Sequence, residues 1–388
     1  MAKNEDQHFV PQLYLRNFSA DCRSIGMVNL KQRKGIDRAS IAGQCQRPYL
    51  YGKDLRLENL FGKIEGRISP LIREILDKRI VPTVEAKSHQ DMLFFIASQN
   101  LRTTQSAAEM NEMLDKMMKH LIGPQMEQKG ISKEDMSKVR VQWTHPYHNS
   151  FIAAMDAHVL LFDLHPMLFV NKTGRGFVTS DHPTVFYNQL LEQRRHSSNV
   201  GFLQVGLQIF LPLSADVLLC YYDPKCYGFG RRQRTTVELS NDSDVIQLNN
   251  LQFISAQDNV YFDPRRNKVP HILASYDAVM HLRRGKTANL HTQLEPSDDP
   301  TTKRELLGMY REDVRANLTL TPMKVLPSAR KSLDQLLVRV FTPRNEFMYQ
   351  RDRTFTELVK QGKYKKGQFI KFLRESEQKQ PPAAQIRP

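Results

Sequence analysis

Cysteine is scarce in this chain. Cys22, Cys45, Cys220 and Cys226 form no CxxC pair and have no nearby histidine at finger-like spacing. A disulfide framework and a zinc finger are excluded as organising devices, and all four are read as reduced thiols. Long apolar runs are also missing. The longest are short, such as Phe210–Leu213 and Val217–Tyr222, far below the roughly 18 residues that a membrane span needs. Met1 to Gln7 is polar and has no apolar stretch of the signal-peptide kind. The expectation is a cytoplasmic protein with no membrane partner. There is no Walker loop, GxGxxG, GxSxG or HExxH, so nucleotide binding, serine hydrolysis and zinc proteolysis lose their usual flags.

What is present is ordinary globular material: 388 residues, 40% hydrophobic and 25% charged. The formal charge of +15 is unevenly placed. From Thr301 to Pro388 there are 19 Lys and Arg against 9 Asp and Glu, a net +10 that leaves +5 for residues 1–300. A local positive field attracts phosphate backbones or acidic partners. A solvated surface that merely aids solubility has the same composition.

Hydrophobic spacing divides the chain. His8 to Phe18 reads as a short helix after Pro11, and Ser24–Leu30 as a strand followed by a polar turn. Leu55–Leu76 is a clean amphipathic helix. Lys87–His120 reads as one long helix, stopped by Gly123-Pro124, whose Met-rich end (Met110, Met113, Met117, Met118) suits core or protein-contact packing. Asn149–Asp163 is helical. Strands are predicted at 168–170, 176–179, 184–187, 208–213, 217–222 and 260–262, with a helix over 242–258. Helices followed by strands without βαβ alternation predict an α+β fold: a helical N-terminal half packed on a small, mostly antiparallel sheet. The predicted division is a core over residues 1–282, a polar linker over 283–302, a separate basic C-terminal segment over 303–379 with a helix near 355–374, and a disordered tail over 380–388.

Several polar groups stand in apolar surroundings. Glu58 and Glu65 are seven residues apart and share a helix face, as a solvated stripe or as paired carboxylates for acid–base or cation chemistry. Gln99, Asn100 and Arg102 interrupt an apolar helix, where they need partners: a bound phosphate or carboxylate, or loop carbonyls. Asp181, in Thr179-Ser180-Asp181-His182-Pro183, is either a catalytic carboxylate or the acceptor of an Asx-type turn. Arg231, Arg232 and Arg234, with Tyr227 and Phe229, and Lys363, Lys365 and Lys366, with Tyr364 and Phe369, combine charge and aromatics as nucleic-acid binding requires.

Taken in order, these residues resemble a family. His8-Phe9-Val10-Pro11 with Leu15 and Phe18, Ile41-Ala42, Tyr49–Gly52, Glu58 and Glu65, Gln99–Thr103, Thr179–Pro183, Pro212-Leu213-Ser214, and Asn249 or Asn250 with Ala256 resemble the bacterial family called domain of unknown function 4238, over about residues 8–265. The HxxPxxxLxxF opening and TSDxP are its more specific pieces. The resemblance names a domain and implies no activity. It singles out His8, Glu65, Gln99, Arg102, Asp181 and Asn250.

The leading expectation is a hydrolase acting on nucleic acid, in a defence or toxin context. His8, Asp181 and Glu65 would be catalytic, with room for a divalent metal. Gln99, Arg102 and Asn250 would bind substrate. The alternative is a non-catalytic nucleic-acid-binding or protein-interaction module that uses the basic C-terminal segment.

Overall fold

A computed structural model describes residues 5–195, 197–230, 234–283, 288–295, 304–311 and 313–378. The first part of the chain lays down β1 (Asp6–His8), α1 (Gln12–Leu15), the hairpin β2 (Ser24–Asn29) and β3 (Lys34–Ser40), and β4 (Gln46–Pro48). A helical layer follows: α2 (Arg56–Lys78), α3 (Lys87–Leu101), α4 (Thr104–Gln128), α5 (Lys133–Lys138) and α6 (Pro146–Ala157). Strands dominate next: β5 (His165–Asn171), β6 (Val178–Ser180), β7 (Val185–Tyr187), β8 (Gln208–Ser214), β9 (Val217–Tyr222), β10 (Tyr227–Gly228) and β11 (Thr236–Leu239). Then come α7 (Asp242–Ser255), β12 (Asn259–Phe262), α8 (Val269–Val279), the strand pair β13 (Ala288–Glu295) and β14 (Arg304–Arg311), and β15 (Lys324–Val325). The chain closes with α9 (Pro327–Lys331), α10 (Leu333–Val338), α11 (Glu346–Lys360) and α12 (Phe369–Gln378).

The fold is α+β with small, mainly antiparallel sheets. A five-stranded sheet has the order β11-β5-β9-β8-β7, and only its β11–β5 pair is parallel. A four-stranded sheet has the order β3-β2-β12-β6. The stripe Leu57, Phe61, Ile64, Ile68, Ile72 and Ile75 buries α2 in one core with α3 and the inner face of β8 and β9.

Two helix predictions are corrected. The stretch predicted as one helix breaks at Arg102-Thr103. Arg102 ends α3 as its C-cap, and Thr103, extended at φ −75°, ψ 154°, caps α4 by accepting the Ser106 amide. The second half then runs through Gly123-Pro124 to Gln128. The predicted C-terminal helix is likewise two, α11 and α12, separated by a turn in which Gly362 and Gly367 hold positive φ.

The expectation of a separate C-terminal segment is also corrected. Leu318, Leu320, Met323 and Leu336 are buried in the core built on the outer face of the five-stranded sheet. Phe355, Phe369 and Phe372 are buried against Val159, Leu160 and Leu203. Arg344 forks onto Asp163 at 2.8 and 2.9 Å and donates to the carbonyls of Leu160 and Gln204. Of the predicted linker, residues 288–295 are a strand paired with β14. The predicted tail lies outside the described residues. Each large apolar side chain is worth about 1.5–3 kcal/mol of burial, so these seven match the whole stability of an ordinary domain. Deleting residues 313–388 is therefore expected to abolish a cooperative thermal transition. A sharp melt in the truncated protein would show the segment to be dispensable.

All four cysteines are free thiols, and all but Cys22 are buried. Among the described residues, no helix is long and apolar enough to cross a membrane.

Candidate functional site

The site begins with two segments far apart in sequence. Strand β1 pairs with β4, setting His8 opposite Gln46. Gln7, buried beneath it, accepts the Tyr51 amide and donates to Gly52 O at 3.1 Å. Tyr51 is buried too and donates its phenol to His8 O at 3.2 Å. Its ring packs on Phe61 of α2 and, edge-on, on Tyr147 of α6.

From α3, Gln99 donates to Phe9 O at 2.8 Å, and its own carbonyl accepts Arg102 Nε at 2.9 Å. Arg102 Nη1 donates to Glu65 at 3.0 Å, and the guanidinium lies 4.8 Å from the Phe61 ring centroid. Arg102 is 3% exposed, and its Nη2 is sealed from solvent without a hydrogen-bond partner. Glu58 and Glu65 each follow a buried residue of the α2 stripe, Leu57 and Ile64, so both carboxyls are half-buried at the edge of the core.

His8, Glu58, Glu65, Gln99 and Arg102 thus converge, and their environment pulls two of them apart from ordinary behaviour. Burial lowers the His8 pKa, against the raising effects of the Ala42 carbonyl and the Glu65 charge. Burial raises the Glu58 pKa, reinforced by Glu65 and opposed by Arg102. His8 Nε2 is held between Ala42 O at 3.1 Å and the Gln12 amide nitrogen at 3.3 Å. The arrangement offers a neutral imidazole and a carboxyl that holds its proton to higher pH than usual, both within electrostatic reach of a fixed cation. Glu58 was absent from the positions singled out by the family resemblance. Its seven-residue spacing from Glu65 was the signal for it.

Asp181 belongs elsewhere. Its Oδ1 accepts Gln257 N at 2.7 Å, and its Oδ2 accepts Asp258 N and Asn259 N at 2.8 and 2.9 Å. The carboxylate holds the turn between α7 and β12 and is engaged by backbone rather than by His8 or Glu65. Asn250, also expected to bind substrate, lies on α7. The neighbouring Asn249 accepts Val178 N and donates to Gly176 O, standing in for a strand beside β6, while Asn250 makes neither bond. Gln99 and Arg102 were expected to bind substrate. Gln99 is spent on Phe9 O and Arg102, and the buried Arg102 orients Glu65.

The two polar networks meet at the break after α3. Gln99 and Arg102 serve the His8 side, while Asn100 and Thr103 face His182, whose Nδ1 lies 2.8 Å from Thr103 Oγ1. Among the described residues, no three His, Cys, Asp or Glu side chains come together to hold a metal ion.

The basic candidates divide differently. Arg231 and Arg232 lie outside the described residues. Arg234 is exposed ahead of β11, and Lys363, Lys365 and Lys366 are exposed in the turn before α12. The expected aromatic partners point inward: Tyr227, Phe229 and Phe369 are buried. Tyr364 packs edge-on against Phe355 and Phe372 and bonds Glu375. Their apolar rings serve the core more than they could serve a base.

A family model described as Protein of unknown function (DUF4238) matches residues 6–266. The chain belongs to this family. No curated protein and no solved structure matches it. The DUF4238 span takes in the whole His8–Arg102 cluster, the Asp181 turn and both larger sheets, and stops just before α8. The basic turn at Lys363–Lys366 lies beyond it.

Proposed function

We propose that this protein is a hydrolase acting on nucleic acid, with its chemistry at the His8–Glu58–Glu65–Arg102 cluster. The observation that carries the reading is the opposed displacement of two half-buried titratable groups, His8 downward and Glu58 upward, around one buried guanidinium. His8 acts as base toward the attacking hydroxyl or water. Glu58 returns a proton to the leaving oxygen. Arg102 and Glu65 are positioning residues that hold the local charge fixed. Asp181 has no part in the chemistry.

Helix α6 connects this cluster to a surface suited to phosphate. Tyr147 and Phe151 on one side of it pack on Tyr51 and Phe61. On another side Asp156 accepts the amides of Gly367 and Phe369, fixing the turn that exposes Lys363, Lys365 and Lys366. Asp156 lies nine residues beyond Tyr147 on α6, about 13.5 Å along the helix axis at 1.5 Å per residue, so a polyanion on these lysines must extend at least that far to reach the cluster.

The ordinary values are 6.5 for His8 and 4.5 for Glu58. A base must be deprotonated and an acid protonated, so the two shifts move toward each other. Cleavage of single-stranded RNA or DNA is expected to follow a bell-shaped pH profile whose maximum lies between these values. His8→Ala is expected to lower the rate by about 100-fold or more at unchanged melting temperature, and Glu58→Gln to remove the alkaline limb. Absence of cleavage by the wild type on both polymers would overturn the reading.

A second reading, binding without hydrolysis, is favoured by α11. There Arg351 lies over the 60%-exposed Phe347, and the exposed Arg353 over the partly buried Tyr349, a pairing of cations and rings of the kind that holds single strands.

A further inference from the structure

A cavity of about 370 Å³ opens where the end of α2 meets β5 and β11. It is about 21 Å along the α2 axis from Glu65, at 1.5 Å per residue, and is separate from the cluster above. Its wall carries Arg79, Lys172 and Arg266 against Asp216 and Glu238. Both carboxylates are already matched: Lys172 pairs with Glu238 at 3.3 Å, and Arg266 with Asp216. Arg79 is the cation left over. Among the described residues its guanidinium has no ion-pair partner, and its Nη1 is buried without an acceptor.

A guanidinium with one donor buried and unspent is costly. The fold nonetheless holds this one in place. Arg79 caps α2 with φ +58°, its amide donates to Ile75 O, and its carbonyl accepts Thr236 Oγ1 at 3.2 Å. The side chain therefore springs from a backbone fixed to both the helix and β11. We propose that this cavity binds a small phosphate-bearing anion, with the oxyanion on the Arg79 fork and the rest of the molecule among the paired charges of the wall. The guanidinium fork matches phosphate geometry. The volume exceeds that of a lone phosphate and falls in the range of small-metabolite pockets.

The test is calorimetric titration of the full chain with inorganic phosphate and, separately, with ribose 5-phosphate. Comparison is with Arg79→Met, with Arg79→Lys, and with Arg73→Met, which removes one exposed positive charge from the same helix. One-site binding is expected for the wild type and for Arg73→Met, about tenfold or more weaker in Arg79→Met, with Arg79→Lys between them. Equal affinity for the two probes identifies free phosphate as the ligand, and preference for ribose 5-phosphate identifies a phosphorylated metabolite. No saturable binding by the wild type, or equal weakening in Arg73→Met and Arg79→Met, overturns the proposal. The wild-type titration decides even if Arg79→Met fails to fold.

Discussion

Replacing Arg102 by alanine should destabilise the fold by about 3–5 kcal/mol, the range for breaking a buried ion pair from one side. Three things are lost together: the fork between Gln99 and Glu65, the cover over the Phe61 ring, and the charge that compensates a half-buried carboxylate. Much of the loss is expected to come from the abandoned Glu65. A double variant, Arg102→Met with Glu65→Gln, should therefore recover part of the stability, and urea denaturation of the single and double variants measures the coupling. Strict additivity would mean that the two side chains do not share their energy. Arg102→Lys should fall between, because an ammonium keeps the charge and loses the planar fork.

Asp181→Ala should be comparably damaging, by about 3 kcal/mol or more, since it strands three amides that cost about 1–3 kcal/mol each when buried and unpaired. Burial pushes its carboxyl pKa up while these same amides oppose the rise. Asp181→Asn is the sharper experiment. It keeps one oxygen for the turn, so a folded fraction should persist at low temperature, and any hydrolytic rate per folded molecule should stay near wild type. His8→Ala should do the reverse, sparing the melting temperature and removing the rate. A folded Asp181→Asn protein without activity would return Asp181 to the chemistry.

How far the sequence could be read depended on whether a residue's local pattern and its tertiary partner agreed. The α2 stripe was legible because Leu57 to Ile75 recur at helical spacing and one face is buried throughout. Strands β8 and β9 were legible as apolar runs on either side of a short turn. Strand β3 was not, because it is an edge strand whose residues are mostly exposed and show no alternation. The break at Arg102-Thr103 was missed although Thr103 carries an N-cap signal, since apolar residues continue on both sides. At the candidate site, polar residues in apolar contexts identified Glu65, Gln99 and Arg102, and the family resemblance added His8. The same rule could not tell a carboxylate aimed at a cleft from one aimed at backbone amides. Only the return of residues 257–259 to Asp181 separates them, and that contact is set by folding over more than seventy residues. Asn249 and Asn250 were indistinguishable for a similar reason, as neighbours on a helix point about 100° apart.

The placement of β12 bears on how the chain is made. It lies inside the four-stranded sheet, between β2 and β6, and Asn259 bonds Asn29 across 230 residues of chain. During synthesis at about 5–20 residues per second, the β2–β3 hairpin emerges and then waits about 10–50 s for its inner neighbour. Until then the apolar side chains of Ile25 and Val28, fully buried in the finished protein, have an open strand edge beside them. The nascent chain is thus exposed to wrong pairing early and is rescued late, so slow elongation should lower its yield of folded protein.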